Sequence, residues 1–193
     1  DANTTGSSNT AVGIYALTAN TTGAENVAIG RQSLFSNTTA NDNISIGVNA
    51  MYANTTGKRN VAVGSGSLGQ NTTADQNTAV GYLALYANTT GAQNVAFGAY
   101  ALDSNTTASY NTAIGDQSLA TNTTGGYNTA VGQSALFDNT SGAANVALGN
   151  SALANNTTSN DNTAGYLAPP EYVQELIKGI TEISPIRSIA RVR

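Results

Sequence analysis

The chain has no cysteine, no histidine and no tryptophan. That removes disulfide staples, thiolate and imidazole metal sites, and every Ser-His or Cys-His nucleophile pair, so any chemistry would have to rest on scattered carboxylates. Lack of cysteine also fits an extracellular or virion setting. Charge is scarce too: Asp, Glu, Lys and Arg make up 9% of the 193 residues, with 11 acids against 7 bases. No basic stripe exists along the main body to collect phosphate contacts, which excludes nucleic acid as its partner. No apolar run approaches the roughly eighteen residues of a membrane-spanning helix, and no signal peptide is evident. The only prolines are Pro169, Pro170 and Pro185, so nothing before them interrupts a regular backbone.

What the chain has instead is a period of 17 residues, running without insertion or deletion from Asn9 to Asp161 in nine complete copies. Self-similarity at a short fixed period marks a repeat architecture whose units pack on their neighbours. Asp1 to Ser8 reads as the second half of an earlier copy, and the chain is therefore expected to be a processed product or an excerpt of something longer. Counted from its Asn, each copy carries Val, Ile or Thr at position two, Ala (once Ser45) at position three, and Val, Ile, Phe or Leu at position four. Position five is always glycine: Gly13, Gly30, Gly47, Gly64, Gly81, Gly98, Gly115, Gly132 and Gly149. Such a row is a ladder of turn points where positive φ is available. Position eight is Ala or Ser, position nine is Leu or Met51, and Asn-Thr-Thr (once Asn139-Thr140-Ser141) follows at positions twelve to fourteen.

Each copy thus reads as strand, Gly turn, short strand and polar turn: one coil of an all-β solenoid over residues 1–163. At the spacing of paired strands, about 4.7–4.9 Å, nine coils make a rod of roughly 40 Å. A helical repeat is disfavoured, because the recurrent Gly costs a helix about 1 kcal/mol each time and two-helix units need about thirty or more residues. Alternation along the strand expects positions two and four inside, together with position nine, and the small residues at positions three and eight outside. Three interior side chains barely offset the ordering of a coil. The expectation is homo-oligomerisation, in which Ala28, Ala62, Ala79, Ala96 and Ala130 face another chain on the axis of a three-fold bundle.

Several motifs have two readings. The Asn-Thr-Thr series from Asn20 to Asn156 matches the glycosylation acceptor pattern, and equally a turn held by side-chain hydrogen bonds with stacked Asn and Thr ladders. One Thr row could form a flat hydroxyl surface for ice. Asp42, Asp75 and Asp161 recur near the polar turn, but the Gly-Gly-x-Gly-x-Asp calcium repeat is missing, so no metal or other cofactor is expected. Tyr15, Tyr52, Tyr82, Tyr86, Tyr100, Tyr110 and Tyr127 can stack on sugars, anchor a partner or cover a thin core.

The period is lost at Gly165, and residues 164–193 form a separate segment. Pro169-Pro170 and the early Glu171 are helix-start signals, and Val173, Leu176, Ile177 and Ile180 keep helical spacing as a docking face. Ser184-Pro185 should stop this helix, and Ile186 to Arg193 reads as a strand. The segment is expected to pack against the rod's end or a neighbouring subunit.

Copies such as Asn26-Val27-Ala28-Ile29-Gly30 resemble the head repeats of trimeric autotransporter adhesins. Longer stretches such as Asn77 to Gly91 resemble repeats of bacteriophage tail-fibre proteins. The resemblance implies a homotrimeric left-handed β-roll on a virion or bacterial cell surface. Gly165-Tyr166-Leu167-Ala168-Pro169-Pro170-Glu171-Tyr172 and Ile183 to Val192 resemble the start of the conserved region of tailed-phage major capsid proteins. Together they point to a non-enzymatic virion structural protein, a fibre or the solenoid extension of a capsid subunit. Its partners would be other virion proteins and host-surface glycans or proteins. A bacterial trimeric adhesin head and an ice-binding solenoid are the alternatives.

Overall fold

The structure is a computed structural model that describes residues 2–165. It is a β-solenoid with one three-residue strand per coil: β1 Thr10–Val12, β2 Val27–Ile29, β3 Ile44–Ile46, β4 Val61–Val63, β5 Thr78–Val80, β6 Val95–Phe97, β7 Thr112–Ile114, β8 Thr129–Val131 and β9 Val146–Leu148. A shorter β10, Thr163–Ala164, closes the series. All ten form a single parallel sheet in sequence order. Register is repeat on repeat, as in Val95↔Thr112, Ala96↔Ala113 and Phe97↔Ile114. The sheet runs one residue beyond the expected boundary at 163, since Ala164 still pairs with Ala147. The expected helix, its face of Val173, Leu176, Ile177 and Ile180, and the strand after it lie outside the described residues.

The expected facing of the strand is inverted. Ala28, Ala62, Ala79, Ala96 and Ala130 are each 0% exposed within the single chain. They pack against the Ala row of position eight and against Leu34, Leu68, Leu85, Leu102, Leu119 and Leu136 of position nine in one continuous core. These alanines therefore cannot face a partner, and it is positions two and four that point outward. The reason is room: a coil this short encloses a space only wide enough for a methyl group opposite a leucine. Where the row carries Ser45 instead, Ser33 Oγ donates to Ser45 Oγ across the interior at 2.7 Å, and Ser45 Oγ donates to the Ala50 carbonyl at 2.9 Å.

The remaining interior is polar. Asn88 Nδ2 donates to Asn71 Oδ1 at 3.0 Å and to the Gly91 carbonyl at 2.9 Å, and Asn105 Nδ2 donates back to Asn88 Oδ1 at 2.9 Å. A second Asn ladder starts each strand: Asn94 N–H donates to Asn77 Oδ1 at 2.9 Å, and Asn94 Nδ2 donates to the Ala108 carbonyl at 2.9 Å. Burying amides this way is tolerable because their donors and acceptors find partners one coil away.

Position five behaves as expected, with φ between +124° and +141° among the nine glycines. A Cβ on Gly98 would lie 2.4 Å from the Gly115 carbonyl oxygen, so a side chain is excluded by space as well as by φ. The expected second strand is absent. Residues six to eleven of each coil are turns, in which positions seven and nine are left-handed, as in Leu83 (φ 53°) and Leu85 (φ 53°). Position seventeen is left-handed too, from Glu25 (φ 60°) to Asp161 (φ 57°). Each such residue costs on the order of 1–2 kcal/mol. Hydrogen bonds between coils hold them: Leu85 N–H donates to the Ala101 carbonyl at 2.9 Å and Leu83 N–H to the Ser65 carbonyl at 3.0 Å.

Candidate functional site: the outward face of the sheet

With the small residues inside, the bulky ones form two rows along the outside of the sheet. Position two contributes Val27, Ile44, Val61, Val95 and Val146, interleaved with threonines. Position four is apolar in β1 to β9, from Val12 through Phe97 to Leu148. Val12 is 57% exposed, Phe97 55% and Leu148 46%, although β-branched and large apolar side chains ordinarily end inside. Three residues of strand by the eight spacings from β1 to β9 is a strip of roughly 10 by 38 Å. Contiguous apolar surface on that scale, a few hundred Å², matches the largest patch that a monomer typically carries, and such a patch is often functional. The exact register of the sheet beneath makes it regular, so that a surface with the same period could be laid against it.

This face was missed by reasoning that the largest side chains fill the core. A signal for it was present: Ala or Ser at both positions three and eight leaves the two walls of the coil small, which suits a narrow interior.

The other motifs fall away from the sheet face. Asn37, Asn54, Asn71, Asn88, Asn105, Asn122 and Asn139 are fully buried and their Nδ2 atoms are engaged in the ladder, so in the folded rod this series is a turn device and not a glycan acceptor. Of the paired threonines, the first is tied down, as Thr21 Oγ1 donates to the Thr38 carbonyl at 3.0 Å, and the second is exposed. Asp75 Oδ1 accepts from Lys58 N–H at 2.7 Å. No group of three or more carboxylates gathers among the described residues. The tyrosines form short ladders: Phe35 stacks on Tyr52 with ring centroids 5.1 Å apart, and Tyr110 on Tyr127 at 4.8 Å. Asp103 is half-buried, and burial raises its carboxyl above the ordinary value against hydrogen bonds from Ser104 that lower it.

Comparison with models of protein families, with curated proteins and with solved structures finds no match.

Proposed function

We propose that this chain is a non-enzymatic structural rod of a tailed-phage virion, in which three left-handed rolls pack in parallel through the outward rows of their sheets. The observation that carries the reading is the exposed apolar strip of positions two and four on a solenoid whose own core is already filled. Its occupant is a second and third copy of the same chain, because a surface that repeats in every coil is matched along its length by one with the same period. The two rows differ, one mixed Thr and Val or Ile, the other wholly apolar, which suits a heterologous contact that closes a ring over one in which like rows meet. Virion partners follow from the resemblance of residues 165–193 to capsid proteins. The bacterial adhesin head shares the same rod and interface. A capsid domain following Arg193 in the gene would place the rod on a virion, whereas a membrane-anchor barrel would place it on a cell.

Light scattering on the purified chain tests the assembly: the expected mass is three times 19.5 kDa. Asp at Ile46, Phe97 and Ile114 together should release folded single chains, since charges cannot be buried unpaired at such a contact. Wild-type chain that is a stable monomer would overturn the interface.

A further inference from the structure

Position ten carries Phe35, Tyr52, Gly69 and Tyr86 in four successive coils. Phe35 and Tyr52 lie parallel, 3° apart. The next coil should add a third ring, but Gly69 supplies none, and Gly66 at position seven of that coil has no side chain either. A cleft of about 410 Å³ opens there, within the roughly 300–1,000 Å³ of small-molecule sites. It lies on the turn side of the coil, and no strand residue lines it.

Its walls are Tyr52, Tyr82 and Tyr86, and its polar lining is the amides of Gln32, Asn49 and Gln70 together with Ser65. No charged side chain contributes. Tyr86 leans over Gly69, where a Cβ would fall 2.7 Å from the ring, and its hydroxyl accepts from Gln70 Nε2 at 3.1 Å. The Tyr86 ring thus takes up part of the space that a side chain at position ten of that coil would fill, and the cleft opens beside it. Asn49 Oδ1 is buried without a hydrogen-bond partner, alone in this among the side-chain atoms of the described residues. That oxygen is closed off from solvent, so Asn49 lines the cleft through its other atoms.

Aromatic faces suit the C–H faces of a pyranose, and neutral amides suit its hydroxyls. An anionic ligand would find no cation, and a purely apolar one would strand the amides. We propose that this cleft binds a neutral saccharide of one or two pyranose units, whose ring lies against the tyrosine walls and whose hydroxyls meet the lining amides. The site does not depend on how many chains assemble, so its test is independent of the rod's oligomeric state.

Saturation-transfer NMR on the full chain, with maltose, cellobiose, N-acetyllactosamine, mannobiose, tyrosinamide and adenosine as probes, decides the matter. At least one of the disaccharides is expected to bind with Kd of about 10 mM or tighter. Tyr52→Ala should weaken it at least tenfold, and Gly69→Phe, whose ring must displace that of Tyr86, should abolish it. Both replacements have precedents at position ten, in Ala120 and Phe137, so the fold is expected to persist. Asn49→Ser, matching Ser134 and Ser151, should weaken binding, whereas Phe137→Ala should leave it unchanged. Failure of all four disaccharides, saccharide binding indifferent to Tyr52→Ala and Gly69→Phe, or binding of tyrosinamide or adenosine alone would each overturn the proposal.

Discussion

At the scale of single residues the rod depends on places where one atom too many cannot be accommodated. Gly98→Ala puts a Cβ 2.4 Å from the next coil's carbonyl oxygen at φ +141°, and should cost at least about 2 kcal/mol. At Gly126, which has no positive φ and meets only the Ser109 carbonyl oxygen at 3.0 Å, the same change should cost far less. Thermal melts of the two variants side by side check this, and equal melting temperatures would contradict it. Asp103 makes a pH-dependent contribution. Its folded value lies above its unfolded one, so the stability it adds is full below the ordinary carboxylate range and is lost as pH rises through the raised value. Asp103→Asn should therefore remove that slope and leave the protein more stable at neutral pH, as urea melts between acid and neutral pH would show.

At the scale of one coil, the strand separates two kinds of damage between neighbouring residues. Ala96→Leu overfills the chain's own interior and should lower stability by about 1–3 kcal/mol whether or not copies associate. Phe97→Asp touches only the outward row, and should change the mass in solution before it changes the fold. Combining circular dichroism with light scattering on both variants distinguishes them. The Asn ladder is the coil's other support. Asn88→Ala leaves the Asn71 oxygen and one N–H of Asn105 Nδ2, whose other N–H keeps the Ala108 carbonyl, without partners in a buried place, at about 1–3 kcal/mol for each group orphaned. Chemical denaturation should show a loss larger than for any exposed threonine of position fourteen.

Across the whole molecule, each coil rests only on the coils before and after it, so stability should fall toward the ends. β1 is exposed along its whole length, while the central residue of β2 through β9 is buried. Amide hydrogen exchange should accordingly be fastest in Thr10–Val12 and slowest in β4 to β7. A uniform rate over all strands would mean that the rod opens as one unit. Association through the apolar face would raise protection in every coil by mass action, most visibly at the ends.

The unbroken period of 17 and the obligatory glycine were enough to determine one coil per copy, stacking in exact repeat register and the turn at position five, because a fixed period puts identical residues above one another, whereas the second strand expected in each coil did not form. The Asn and Thr ladders were legible for the same reason, since identical side chains fall above one another. Which face of the strand is inside was decided only by the closed coil. Alternation of Ala with Val or Ile names two faces without saying which is enclosed, and the usual preference of bulk for the interior pointed the wrong way. Leu85 and Leu102 across from Ala79 and Ala96, with buried amides at the corners, already fill the space. The turns of positions six to eleven were illegible because Leu, Tyr and Gln ordinarily avoid positive φ, and only hydrogen bonds to the adjoining coils hold them there. The cleft depends on four coils meeting, from Gln32 to Tyr86: Gly66 and Gly69 read as two more glycines until the tyrosines of the neighbouring coils are seen around them.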